Sequence, residues 1–164
     1  MTSEVFICSL ALSNIGKETI NSLTEASAEA RACRLFYEQT RDMLFQVYPW
    51  RFAGKSLSMG EITNDKLGTW LYAYQRPTDC LKVRQIRPNY TLNPDAPAAG
   101  EYGYLHEIEG QTIYCDLSPA VIQYTARVTD TAKYPPSFID ALAWHLSVRL
   151  AMPLTRDPKV RADA

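Results

Sequence analysis

The sequence predicts an α+β protein, a small helical bundle with an antiparallel β-sheet inserted between its second and third helices. Three observations lead there. Apolar residues recur at steps of three and four near 4–15, 27–47 and 137–152, the period of helices with a buried face. The stretch between them carries short runs of strand-favouring residues, separated by proline- and glycine-marked turns. Finally, neither terminal helical region can bury its apolar face alone, so the two must pack together. The expected organisation is a bundle made of 1–49 and 134–164, with 50–133 as the inserted β-domain.

Each element has a local reason. In the first helix Val5, Cys8, Leu12 and Ile15 fall at helical spacing, with Leu10 and Ala11 beside them, so the helix is apolar over more than half its girth. Ser3 is positioned to cap its free amides, and Gly16 to supply the left-handed stop. After a polar connection over 17–26, the second helix carries an apolar stripe of Ala28, Ala32, Leu35, Phe36, Met43, Leu44 and Val47. Glu29, Arg31, Arg34, Glu38, Arg41 and Asp42 populate its other sides. Glu38 and Arg41 are spaced for a weak surface pair, and Pro49 ends the helix.

Strands are expected at Trp70–Tyr74, Cys80–Ile86, Tyr102–Ile108, Thr112–Asp116 and Val121–Val128, in a sheet of about four to six strands. In the second of these, alternation sets Leu81 and Val83 on one side and Lys82 and Arg84 on the other. Three prolines and a closing glycine make 87–100 a long loop, and loops of that length usually carry function or are disordered. Tyr134-Pro135-Pro136 opens the third helix, whose face holds Phe138, Leu142, His145, Leu146, Arg149 and Leu150, widened by Ile139, Trp144 and Val148. Pro153 is expected to stop it, and Asp157-Pro158 to begin a fourth helix.

Composition bounds the function. The chain of 164 residues is 46% hydrophobic and 21% charged, ordinary for a globular protein. Its net charge of -1 argues against a dedicated nucleic-acid binder, which carries a clear basic excess. No apolar run approaches the roughly 18 residues that span a bilayer, and Glu4 sits where a signal peptide wants a cation. Cys8, Cys33, Cys80 and Cys115 are scattered, with no CxxC and no short Cys-His spacing, so reduced, partly buried thiols are expected.

Catalytic motifs are missing. No GxGxxG, GxxxxGK, HExxH or GxSxG occurs, and the only histidines are His106, read as a surface residue, and His145, read as a partly buried helix residue. A Cys80–His145 pair has no support from spacing. Glu107 and Glu109 share a strand face near a turn, where a solvated face is expected. No catalytic residue, metal site or cofactor is therefore assigned. Arg76, Lys82, Arg84 and Arg87 against Asp79 give a locally basic run near Trp70 and several tyrosines, a weak nucleic-acid signal. Ten tyrosines and three tryptophans point instead to core, sheet and protein-contact roles.

Several segments, in order, carry a resemblance. Ala11-Leu12, Ile15-Gly16, Ile20, Ser22-Leu23, the Ala-rich start of the second helix from Ala28 to Cys33, and Trp50-Arg51-Phe52 come first. Trp70-Leu71-Tyr72-Ala73-Tyr74 follows, with Pro77 and Cys80-Leu81. Val121 to Tyr124, Tyr134-Pro135 and Ala141 to Leu150 complete the series. Together they resemble the head-to-tail adaptor proteins of short-tailed bacteriophages, the tail tubular protein A-like family. That resemblance implies a virion structural protein with no catalytic activity. It would form a ring, dodecameric in the family, that docks on the portal, carries the tail nozzle and continues the channel for double-stranded DNA without sequence-specific binding. It also implies a C-terminal helical segment reaching toward the portal, where Arg156, Lys159 and Arg161 stand. Contacts with a neighbouring subunit or the nozzle are expected at Arg87, Tyr90 and Leu92. Two other readings remain at this point: a head completion or connector protein of a long-tailed phage, and a nucleic-acid-binding module.

Overall fold

The computed structural model describes residues 2–101 and 103–155. Its elements run α1 (Glu4–Asn14), α2 (Ala28–Val47), β1 (Gly54–Ser58), β2 (Glu61–Ile62), β3 (Tyr72–Gln75), β4 (Cys80–Pro88), β5 (His106–Glu109), β6 (Thr112–Cys115), β7 (Ala120–Ala126) and α3 (Pro136–Thr155). The protein is α+β, with antiparallel sheet between its second and third helices. The chain divides into two compact units. The described residues up to Val47 join those from Val128 onward in a helical unit, and Tyr48–Arg127 form a β-unit.

In the helical unit, α3 packs against both α1 and α2. The Ser3 hydroxyl accepts from the Phe6 amide, a cap that satisfies one free donor of the first turn. At the other end Gly16 takes φ +69, which lets the Gly16 amide reach Ser13 O and the Lys17 amide reach Leu12 O. A side chain at that φ would be strained, which is why glycine stands there. The core gathers Ile7, Cys8, Leu12, Cys33, Tyr37, Phe45, Phe138, Leu142, Leu146 and Leu150. Phe45 stacks on Phe138 with centroids 4.7 Å apart, and Tyr134 meets Phe138 edge-on at 4.8 Å.

Four expectations for this unit need correction. The buried side of α2 holds Ala30, Ala32, Cys33, Tyr37, Thr40, Arg41, Leu44 and Phe45, so Ala32 and Leu44 of the expected stripe are buried, whereas Leu35 and Val47 are exposed. The stripe is thus turned around the helix axis, and a threonine can enter the core there because its hydroxyl finds a partner nearby. The Thr40 hydroxyl donates to Phe36 O one turn back. Arg41 is not a surface residue paired with Glu38; it is buried and its guanidinium meets Asp42 at 3.0 Å. Pro153 does not stop α3, which runs on to Thr155. A proline this close to the C-terminus forfeits one backbone bond rather than several, and the Thr155 hydroxyl satisfies Ala151 O at 2.6 Å. His145, on the same helix, is exposed rather than partly buried. The expected fourth helix at Asp157-Pro158 lies outside the described residues.

The β-unit holds two sheets where one was expected: a three-stranded sheet ordered β1-β7-β4 and a four-stranded sheet ordered β2-β3-β6-β5. Their apolar faces share one core of Met59, Tyr74, Cys80, Ile86, Ile113, Cys115, Leu117, Ala120, Ile122, Tyr124 and Ala126. β4 explains why simple alternation misassigns this strand. Its pairing with β7 slips between Cys80 and Lys82 and again between Val83 and Gln85. Each extra residue resets the inside–outside phase, so Ile86 pairs with Ile122 in the core while Arg87 pairs with Val121 on the outer side. Strict alternation would have put Ile86 on the same side as Lys82 and Arg84. β4 also continues to Pro88, so Arg87 belongs to a strand and the loop begins later than expected. β3 starts at Tyr72 and not Trp70, and β5 starts at His106.

Candidate interaction surfaces

Arg84, one of the cations of the basic run, is partly buried and held in place. Its Nε donates to Thr125 Oγ1 at 2.9 Å and its Nη2 to Trp50 O at 2.7 Å, and the guanidinium lies against Gly54. It fastens the entry to β1 onto the three-stranded sheet. Lys55 is likewise engaged, 2.6 Å from Asp79 Oδ2, while the Tyr124 hydroxyl donates to Asp79 Oδ1. Burial pushes the Asp79 pKa up, but the Lys55 and Tyr124 hydrogen bonds outweigh it and hold the carboxyl below its ordinary value.

Glu107 and Glu109 are not simply solvated. Both accept from Lys66 Nζ, Glu107 at 2.5 Å, and the Trp70 indole N–H donates to the other Glu107 oxygen at 2.8 Å. The Lys66 ammonium stands 4.7 Å from the centroid of the Tyr114 ring, and the Tyr114 hydroxyl donates to Asp65. The register makes this possible, since Glu107 pairs with Tyr114 across the β5–β6 ladder and shares its face. Lys66 and its neighbours thus pin the 63–71 connection onto the four-stranded sheet. Sequence reasoning missed Lys66 because a lone lysine in a loop has no periodicity; the paired glutamates were the only visible half.

The loop after β4 is organised by tyrosines. Tyr104 donates its hydroxyl proton to Pro97 O at 2.8 Å, which leaves the Tyr90 hydroxyl to donate to the Tyr104 oxygen at 2.8 Å. Of the expected contact residues, Arg87 lies in β4, Tyr90 sits in this bonded pair with its ring half exposed, and Leu92 is 69% exposed. Leu105 is exposed to a similar degree. The expected portal-facing residues Arg156, Lys159 and Arg161 lie outside the described residues.

The helical unit presents a second apolar surface. Phe36 of α2 and Val148, Met152 and Pro153 of α3 line a groove that continues beside Ala28, Ala32, Leu35 and Leu154. Trp144, Val148 and Met152 follow each other at four-residue steps and so form one stripe on α3. Arg31 and Arg149 are the charged residues among those lining the groove. Leu35 is 69% exposed and Met152 47%, and they adjoin one another through Phe36 and Pro153, which makes the exposed apolar surface continuous.

All four cysteines are buried, and the hydrogen bond with Cys8 holds the Cys33 thiol below its ordinary value. Cys80 and Cys115 are buried in the β-unit core, and burial pushes the Cys115 thiol up. Cys8 is raised by its hydrogen bond with Cys33 and by burial, which keeps it a thiol at neutral pH. Among the described residues, no group of three His, Cys, Asp or Glu side chains could hold a metal ion, and no helix is long and apolar enough to cross a membrane. No protein-family model matches this sequence, and no curated protein is significantly similar to it.

Proposed function

We propose that this chain is a bacteriophage virion protein that acts as a head-to-tail adaptor, forming a ring between the portal and the tail nozzle and continuing the DNA channel. One observation carries the assembly half of this reading. Each unit leaves large apolar side chains in solvent: Leu35, Trp144 and Met152 in the helical unit, and Leu67, Leu71, Leu92 and Leu105 in the β-unit. In the helical unit Leu35, Phe36 and Met152 line one continuous groove, and contiguous exposed apolar surface marks protein contacts. The resemblance of the ordered segments from Ala11 to Leu150 supplies the identity of the assembly. The mechanism is structural: subunits repeat around an axis through heterologous contacts that close by rotation. The net charge of -1 suits a channel that DNA must slide through, since a strongly basic lining would hold phosphates by counterion release.

The test is the mass of the purified full chain alone and mixed with the portal protein of the same phage. A multi-copy complex on the portal is expected. A chain that stays monomeric at high concentration with portal present would overturn the reading. Tight DNA binding with a steep salt dependence would overturn the channel argument.

A further inference from the structure

The three helices of the bundle are joined unevenly. α3 packs along both α1 and α2, while α1 and α2 touch each other little. Cys8 of α1 and Cys33 of α2 meet where they do touch. Both are fully buried, and their thiols are hydrogen-bonded to each other. In the β-unit, by contrast, the Cys115 thiol donates to the Leu117 carbonyl at 3.7 Å. Two sulfurs in hydrogen-bond contact on facing helices stand a side-chain rotation away from the separation of about 2.05 Å at which they bond.

We infer that Cys8 and Cys33 form a dithiol site that a low-molecular-weight disulfide oxidises to an intramolecular disulfide, stapling α1 to α2 along the loosely joined side of the bundle. The chemistry is thiol–disulfide exchange. Cys33, whose thiol the hydrogen bond with Cys8 favours as thiolate, attacks the small disulfide and expels one small thiolate. Cys8 then attacks the mixed disulfide at the Cys33 sulfur and expels the second. The two protons end on the two released thiols, and the two electrons have passed from the protein to the small disulfide. Access needs a local opening of α1, and Cys8 lies only in its second turn, near the end that frays most readily. In a reducing compartment the pair stays open; where small disulfides accumulate it closes and α1 can no longer part from α2.

A glutathione titration of the full chain tests this. The chain is equilibrated with reduced and oxidised glutathione at graded ratios, folded in buffer and unfolded in urea. Equilibrium is approached from both sides: from the reduced chain, and from chain oxidised in urea and then refolded. Remaining thiols are blocked with N-ethylmaleimide in denaturant, and tryptic peptides are weighed. The folded, oxidised chain should take up two maleimides where the reduced chain, with its four free cysteines, takes four. The 1–17 peptide should be joined to the 32–34 peptide, which carry Cys8 and Cys33. A disulfide that fits the fold is favoured by folding, so the equilibrium constant for closing should be about ten- to a hundredfold larger in buffer than in urea. The thermal midpoint of the helical unit should rise on oxidation and fall back with dithiothreitol, and Cys33→Ala should lose this response. Four maleimides at every ratio would overturn the proposal. So would a closing constant smaller in buffer than in urea, since the folded helices would then be holding the sulfurs apart. A disulfide through Cys80 or Cys115, or between two chains, would overturn it as well.

Discussion

The Asn14 side-chain amide and the Ser147 hydroxyl lie 3.1 Å apart, joining the end of α1 to the middle of α3 across 133 residues of sequence. Asn14 donates, and the single Ser147 proton is left for Ala11 O or Ala143 O, at 3.1 and 2.7 Å. Ser147 is fully buried, so the chain carries a polar group into the bundle and satisfies it there. Ser147→Ala removes both the acceptor and the donor without adding bulk, and should cost about 1 kcal/mol, the typical net worth of such a bond. Urea unfolding followed by far-ultraviolet circular dichroism would measure it. No change in midpoint would mean that Asn14 and the carbonyl find water equally well.

Tyr37 provides the opposite case. It is buried beside Tyr134 and Cys8, and among the described residues its hydroxyl has no hydrogen-bond partner. Burial pushes its pKa well above the ordinary tyrosine value. A buried hydroxyl without a partner carries its desolvation cost uncompensated. Tyr37→Phe is therefore expected to be neutral or to stabilise by up to about 1 kcal/mol, whereas Tyr134→Phe, which loses a 2.6 Å bond from its hydroxyl to Val128 O, should destabilise by a similar amount. Comparing the two melts in one buffer separates loss of a bond from loss of a ring hydroxyl.

A third prediction concerns Gly54. A Cβ there would lie 2.9 Å from Arg84 Nη1 and 3.2 Å from Arg51 O. The arginine could swing aside, but only by giving up its bonds to Thr125 and Trp50. Gly54→Ala and Arg84→Ala should each destabilise the β-unit by about 1–2 kcal/mol, and the double variant by clearly less than the sum, since both break the same contact. Additive effects in a denaturant double-mutant cycle would mean that Gly54 matters for its backbone and not for the space beside it.

The fold was legible wherever one residue type settles a local question. Ser3 as cap, Gly16 as stop, and the change of period after Trp50 all emerge from the order of side chains alone. What was hidden depends on partners distant in sequence. The two slips in β4 follow from the need to place Ile86 opposite Ile122, and nothing within 80–88 announces that need. The turned face of α2 is similar: Tyr37, Thr40 and Arg41 look like surface residues until Phe36 O and Asp42 are seen to satisfy Thr40 and Arg41. The separation into two sheets was hidden because β1 and β2 are short, five and two residues, so they pass for loop. For the candidate surfaces, Tyr90 and Leu92 were singled out from the proline-rich loop, and both are exposed. The α2–α3 groove was not, because Leu35, Phe36, Val148 and Met152 fit the ordinary core pattern and only the packing shows which of them are left outside.

The Lys66 cluster predicts how the β-unit responds to pH. The hydrogen bond from Lys66, then that from the Trp70 indole, hold the Glu107 carboxyl below its ordinary value. A carboxyl depressed in the folded state stabilises above its unfolded pKa, about 4.3 for glutamate, and that contribution is lost as pH falls through the lower folded value. Lys66 is raised, first by Glu107 and then by Glu109, so its contribution is present below the unfolded lysine value of about 10.4 and disappears only as pH rises beyond that. Between these limits the cluster is intact. Amide exchange of β5 and β6 in the full chain should therefore quicken relative to β7 between pH 6 and pH 3, after correction for intrinsic rates. Glu107→Gln keeps a weak acceptor for Trp70 but removes the titrating charge, so its protection should be lower at pH 6 and change less toward pH 3. Because these charges face solvent, 1 M salt should shrink the difference between the two proteins. Equal acid sensitivity in both would show that the carboxylate at Glu107 contributes nothing to the acid response of the sheet.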